Sequence, residues 1–143
     1  MKQGVIMAFD YGSRRTGVAV TDPIQTIASP LDTCLTPQIY AYLDTYTTQE
    51  KIAAFVVGYP TQKDGTPSPI NTEINRFIDQ LKKRYPTVAV YRHDERYTSK
   101  MAFQTLIEGG ATQKQRRDKA LVDKVSAAIL LQAFMDSKIK TPL

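Results

Sequence analysis

Short apolar runs alternate along the chain with longer segments in which apolar residues recur every three or four positions. Five short segments predict strands; in the first and the fourth, the nearly unbroken apolar sequence indicates a strand covered on both faces. The third contains Pro30, which has no N–H group to donate, so it is predicted at a sheet edge. The five runs are Gly4 to Phe9, Thr16 to Thr21, Thr26 to Leu35, Ala53 to Gly58 and Thr87 to Tyr91.

The segments with helical spacing predict four helices. Thr36 and Pro37 favour a helix start after the third strand, with Thr36 as the N-cap and proline at the first helical position. The other helices are predicted from Ile70 to Tyr85, from Thr98 or Ser99 through Ile107, and from Leu121 to Met135. The order βββ-α-β-α-β-α-α predicts an α/β fold, in which a mixed sheet carries helices on both faces. No linker divides the chain, and its 143 residues fit one domain over 1–143.

Three acidic residues stand where apolar runs end or where a carboxylate is unfavourable. Asp10 ends the first strand, Glu95 closely follows the fifth, and Asp123 interrupts the apolar sequence of the last helix. Partial burial of a carboxylate costs several kcal/mol unless a cation compensates. Three such acids from distant parts of the chain predict a shared site for one or two Mg²⁺ or Mn²⁺ ions, which prefer oxygen ligands.

Each acid also has a simpler interpretation. Asp10 fits a turn-forming aspartate as well as a metal ligand. Asp123 falls in line with Ala127, Leu130 and Phe134 on an apolar stripe, but an ion pair with Lys119 or Lys124 is the alternative. Only one of Asp94 and Glu95 needs to point inward, since neighbours in a strand face opposite ways.

Basic residues accompany these acids in the sequence. Arg14 and Arg15 follow Asp10, and either a phosphate contact or a solvated hairpin turn fits them. A basic run before Asp123 fits a nucleic-acid backbone contact, which would not select a sequence, or an ordinary solvated segment. The candidate nucleic-acid-binding residues are Arg14, Arg15, Arg96, Lys114, Arg116, Arg117 and Lys119.

The composition narrows the possible chemistry further. Nineteen Lys and Arg against fourteen Asp and Glu give a net charge of +5, which permits a polyanionic partner without requiring one. Cys34 and His93 are single residues of their types, so Cys-based zinc and His-rich metal sites are excluded. The apolar run after Met1 is too short for a signal peptide or a membrane span, so we expect a cytoplasmic protein without membrane contact.

Four segments carry a resemblance to a known family. They are Phe9 to Ala19, Val56 to Pro60, Asp94 to Ser99, and Val122-Asp123 followed by Ala127 to Gln132. Together they resemble the YqgF/RuvX family of Holliday-junction resolvases and pre-16S rRNA nucleases, in the ribonuclease H-like superfamily. The resemblance implies a five-stranded sheet of order 3-2-1-4-5, metal-dependent nuclease chemistry, and catalytic roles for Asp10, Glu95 and Asp123. It selects Glu95 over Asp94 and favours Arg15 in phosphate contact.

The hypothesis that follows is an endonuclease that cleaves structured nucleic acid, with pre-16S rRNA favoured over branched DNA and ribosomal particles as further partners. Other members of the superfamily place an acid after the fourth strand, where this chain has Gly58, Tyr59 and Pro60. The displaced acid keeps a non-catalytic, nucleic-acid-binding assembly factor open as an alternative. An actin-like phosphate loop at Asp10 to Ser13 is a further alternative, but it requires a second lobe for which 143 residues are too few.

Overall fold

The computed structural model describes residues 4–60, 66, 68–94, 104–138 and 140–143, apart from the side chains of Arg116 and Arg117. These residues form a five-stranded sheet with the order β3-β2-β1-β4-β5, as the resemblance implied. β1 pairs with β2, and β2 with β3, in antiparallel fashion, whereas β1–β4 and β4–β5 are parallel. The strands are β1 Val5–Asp10, β2 Arg15–Thr21, β3 Ala28–Leu35, β4 Ile52–Tyr59 and β5 Ala89–Asp94.

Helices follow where the sequence predicts them, with one addition. A 3₁₀ turn at Thr36–Gln38 leads into α1, and α3 is described over residues 104–108. The start predicted for α3 at Thr98 or Ser99 lies outside the described residues. The short α4 was not predicted; Thr112 opens it with a capping box that includes Gln115. The remaining helices are α1 Ile39–Thr47, α2 Asn71–Arg84, α4 Gln113–Arg117 and α5 Lys119–Asp136.

Two apolar clusters cover the two faces of the sheet. α1 and α2 pack on one face against Phe9 and Phe55. α5 packs on the other face, where Ala127, Leu130 and Phe134 are buried against the alanine-rich surface of β1 and β2. This burial confirms the apolar stripe predicted in line with Asp123. Neighbouring residues of β1 therefore belong to different clusters, and this alternation decides which side of the sheet each polar end residue faces.

β3 lies at the edge of the sheet, as Pro30 predicted, and most of its residues are exposed. Hairpin connections join it to β2 and, through β2, to β1. Within the described residues, no helix is both long enough and apolar enough to cross a lipid bilayer.

The N-cap prediction for Thr36 is wrong. Leu35 precedes the 3₁₀ turn, and Thr36 is buried inside it. The Thr36 hydroxyl donates to the carbonyl oxygen of Gly12 at 2.5 Å and lies 2.8 Å from the Thr16 hydroxyl. A helix N–H and a buried turn carbonyl compete for such a side chain, and here the tertiary contact prevails. Thr36 therefore fixes the turn between β1 and β2.

Replacing Thr36 by Val is expected to lower the free energy of unfolding by about 1–3 kcal/mol. The isosteric side chain keeps the packing but leaves the Gly12 carbonyl and the Thr16 hydroxyl without this buried partner. Chemical denaturation monitored by circular dichroism measures the loss. Thr48→Val is the matched control, because the Thr48 hydroxyl bonds the Thr45 carbonyl at the surface; an equal loss in both variants would contradict the role given to Thr36.

Candidate active site

Asp10 is the last residue of β1 and faces α5. Ile6 and Ala8, four and two positions earlier, belong to the cluster under α5, whereas Met7 and Phe9 belong to the cluster under α1 and α2. Because side chains alternate along a strand, Asp10 shares the α5 face with Ile6 and Ala8. Asp10 is half-buried there.

Gly17 brings this position together with α5. It lies directly opposite Asp10 in the antiparallel pair of β1 and β2, so their side-chain positions share one face about 5 Å apart. A Cβ at Gly17 would lie 2.1 Å from the carbonyl oxygen of Asp123. The backbone of α5 therefore rests on the glycine, and Asp10 and Asp123 flank the same point of the sheet. A glycine in the interior of a strand is the sequence signal that could have indicated this close approach.

The Asp123 carboxylate is held by Arg15. The Arg15 Nε donates to Asp123 Oδ2 at 2.8 Å, and the two side chains are 36% and 24% exposed. Arg15 lies two residues before Gly17 on β2 and therefore on the same face. The ion pair considered from sequence named Lys119 or Lys124, but the partner is Arg15, 108 residues earlier in the chain. Only tertiary structure brings this pair together.

The turn that carries Arg14 and Arg15 is anchored on both sides. On one side, the Thr36 hydroxyl donates to the Gly12 carbonyl, and the Thr36 N–H donates to the Arg14 carbonyl. On the other side, the Ser13 hydroxyl donates to Glu73 Oε2 of α2 at 2.8 Å. The Arg14 side chain is exposed at the tip. The turn is thus fixed next to Asp10 while one of its two arginines stays accessible.

The end of β5 supplies the next part of the same sheet edge. Tyr91 and His93 face α5, where both rings contact Phe134. Burial lowers the pKa of His93, and neighbouring Asp94 acts in the opposite direction. By alternation, Asp94 belongs to the other face, toward α2. The predicted ligand Glu95 and the predicted contact residue Arg96 lie outside the described residues.

Arg92 is a polar anchor that sequence reasoning did not identify. Its guanidinium donates to Asn71 Oδ1 at 2.7 Å and to Asn75 Oδ1 at 3.3 Å, and it stacks over the Tyr59 ring at 4.3 Å. The Asn71 amide in turn donates to the Pro60 carbonyl. These contacts join the start of α2 to the ends of β4 and β5. They fix the sheet edge on the side away from Asp123.

The basic run before Asp123 forms α4 and the start of α5. Lys114 and Lys119 are exposed on these helices, while the side chains of Arg116 and Arg117 lie outside the described part. Asp118 separates α4 from α5 and caps α5 through the Ala120 N–H at 3.0 Å. The cap sets where α5 begins and therefore which turn of the helix carries Asp123.

The described residues contain no cluster of three or more His, Cys, Asp or Glu side chains suited to a metal ion. Asp10 and Asp123 are two of the three predicted acids, and the third falls outside that search. A cleft of about 700 Å³ lies at the opposite end of the sheet, where β1, β4 and β5 begin. Ile52, Ala89 and Phe134 are among its lining residues, and none of the candidate site residues line it.

Comparison with known proteins gives consistent matches over most of the chain. The family model described as RuvX, Holliday junction resolvase, matches residues 4–137. A relative from Amoebophilus asiaticus is 48% identical over 134 residues, which cover 94% of this chain and 95% of the relative. One from Flavobacterium psychrophilum is 47% identical, with coverage of 94% and 98%. Both relatives are provisionally named as pre-16S rRNA nucleases.

Solved structures show which fold the chain shares. RuvC from Thermus thermophilus, in complex with a Holliday junction substrate, matches with a TM-score of 0.55 and 17% identity. The match covers 98% of this chain and 99% of that one. A second structure of the same protein matches with a TM-score of 0.53. The architecture is therefore ribonuclease H-like, as the family resemblance implied.

Proposed function

This chain belongs to the RuvX family, described as Holliday junction resolvases, and on that premise we propose that it is a metal-dependent endonuclease. It hydrolyses phosphodiester bonds in structured nucleic acid, and the 5′ end of pre-16S rRNA is the favoured substrate because the similar proteins carry that name. Branched DNA is the second substrate to test, since the family description refers to it. The nuclease domain occupies residues 1–143.

The observation that carries this proposal is the position of Gly17. It lies opposite Asp10, and the Asp123 carbonyl packs against it, so two acids 113 positions apart in the sequence flank one point of the sheet. Partly buried carboxylates repel each other unless a cation compensates, so their placement on one face favours a cationic site. Neither a turn-forming aspartate nor a surface ion pair requires this proximity.

The donor atoms fit a hard divalent cation. Asp10 and Asp123 offer carboxylate oxygens, which suit Mg²⁺ or Mn²⁺. We assign Glu95, which follows Asp94 in the sequence, as the third ligand because the family resemblance selects it. When bound, one or two such ions would supply Lewis acidity that activates water and stabilises the leaving oxygen.

The basic side chains would hold the nucleic acid against this edge. Arg14 and Arg15 lie in the turn after Asp10, and Lys114 and Lys119 lie on the helices that lead to Asp123. Arg96, Arg116 and Arg117 are proposed as further nucleic-acid contacts from the sequence alone. Backbone contacts of this kind add affinity and register without reading sequence. Substrate choice must then depend on the shape of the nucleic acid.

Purified protein incubated with a pre-16S rRNA fragment is expected to cleave it in Mg²⁺ or Mn²⁺ and to leave it intact in chelator. The physical reason is that the proposed mechanism takes the Lewis acidity that activates water from the bound cation. Gel analysis of end-labelled fragments measures the cleavage. A four-way DNA junction in a parallel series distinguishes the two substrates.

Binding of RNA without cleavage in either metal would overturn the nuclease proposal and favour the assembly-factor alternative. Its affinity should then fall linearly on a log–log plot against salt, as expected for phosphate contacts. Cleavage that persists undiminished in chelator would instead indicate a metal-independent enzyme or a contaminating nuclease. The Asp10 variant described in the Discussion separates those two cases.

A further inference from the structure

The ion pair between Arg15 and Asp123 occupies a carboxylate that the proposed function assigns to a metal ion. Asp123 Oδ2 accepts from the Arg15 Nε at 2.8 Å, so the guanidinium approaches the oxygen from the β2 side. Both side chains are partly buried, at 36% and 24% exposure. Partial burial strengthens the interaction of charges relative to a fully hydrated pair.

The backbone of each partner makes a close contact of its own. The Asp123 carbonyl rests on Gly17, which leaves no space for α5 to approach the sheet further. Arg15 opens β2, and the Thr36 N–H bonds the carbonyl of the preceding Arg14. Rotation of a side chain would change the pair without moving either backbone segment. Arginine has the length and rotamer freedom for this, whereas aspartate has little.

We propose that Arg15 is an internal counter-ion that competes with the divalent cation for Asp123. In the metal-free protein it neutralises and orients the carboxylate, which would otherwise face Asp10 across Gly17 with like charge. When a cation binds, the guanidinium must either leave Oδ2 or remain close to a second positive charge. In both cases Arg15 lowers the affinity of the site for metal. This inference rests on the proposed function and adds a positioning role to Arg15.

Arg15→Gln is expected to bind Mn²⁺ about tenfold more tightly than the wild type, because the unit positive charge that contacts the Asp123 carboxylate is removed. Titration followed by the electron paramagnetic resonance signal of free Mn²⁺ measures the affinity without substrate. A purely structural role for Arg15 predicts the opposite, since a disordered Asp123 would bind metal more weakly.

Two further variants make the test specific. Arg15→Lys keeps the charge and is expected to bind Mn²⁺ within about twofold of the wild type. Arg14→Gln removes the same charge one residue away, at an exposed position where salt screens it, so its affinity should change less than about threefold. Thermal unfolding in chelator shows that each variant is folded.

Equal or weaker Mn²⁺ binding by Arg15→Gln, in a wild type that binds Mn²⁺, would overturn the counter-ion role alone. An equal increase in Mn²⁺ affinity in Arg14→Gln would also overturn it, since the effect would then come from the net charge of the protein and not from the position of Arg15. Absence of Mn²⁺ binding in both the wild type and Arg15→Gln would overturn the proposed metal site and this inference together.

Discussion

Replacing Asp10 by Asn is expected to reduce the cleavage rate about a thousandfold or more. The amide keeps the size of the side chain but loses the negative charge that the proposed cation requires, and metal-ion stabilisation of this reaction is worth several kcal/mol. The fold should persist, because Asp10 ends β1 and makes no contribution to either apolar cluster. The melting temperature in chelator, compared with that of the wild type, checks that the variant is folded.

Single-turnover cleavage of the pre-16S rRNA fragment in Mg²⁺ measures this loss, and filter binding checks that RNA affinity is retained. Asp136→Asn is the matched control. It makes the same chemical change on α5, at the far end from Asp123, where the exposed carboxylate accepts a hydrogen bond from Gln132. We expect its rate within about twofold of the wild type. Wild-type cleavage by Asp10→Asn would remove the basis of the metal mechanism.

Replacing Gly17 by Ala is expected to have the second large effect. The added methyl group would lie 2.1 Å from the Asp123 carbonyl oxygen and 2.4 Å from its carbonyl carbon, so backbone must move. Overpacking of this kind costs about 3 kcal/mol of unfolding free energy, which corresponds to a melting temperature about 10 °C lower. Displacing Asp123 by about 1 Å should also slow cleavage about a hundredfold.

Thermal and urea denaturation measure the loss of unfolding free energy, and the cleavage rate below the melting temperature measures the loss of activity. Gly109→Ala is the control, because its Cβ would meet the Thr105 carbonyl at 3.4 Å in an exposed turn, an ordinary contact. Its stability should change by less than about 1 kcal/mol. A Gly17→Ala protein with wild-type stability would show that α5 can move away from β2, and the juxtaposition of the two acids would lose its structural basis.

The positions of the strands along the chain could be predicted from the sequence, because strands that are buried on both faces appear as apolar runs. Pro30 also allowed β3 to be predicted at the edge of the sheet, because a residue without an N–H group is unfavourable in a central strand. The apolar stripe of α5 could also be predicted, because Ala127, Leu130 and Phe134 recur at the spacing of one helix face. The sheet order itself came from resemblance, as crossover rules narrow the arrangements without selecting one.

The predictions from sequence were wrong where a side chain had possible partners both nearby in the sequence and far from it. Thr36 has the position and residue type of an N-cap, but its hydroxyl bonds Gly12, 24 residues earlier. Asp123 has two nearby lysines in sequence, yet Arg15 on β2 holds its carboxylate. The helix α4 was missed because five polar residues carry no apolar periodicity, and its capping box is the only local signal.

The sequence by itself determined that carboxylates end or interrupt apolar elements, and therefore that Asp10 and Asp123 needed a compensating partner. It could not determine which partner, because that depends on distances between segments more than a hundred residues apart. The tertiary structure decided this by packing α5 onto the bare backbone of Gly17, which places Asp123 beside Arg15 and across from Asp10. The sequence gives the charge of each side chain, whereas packing determines which charged side chains lie close together.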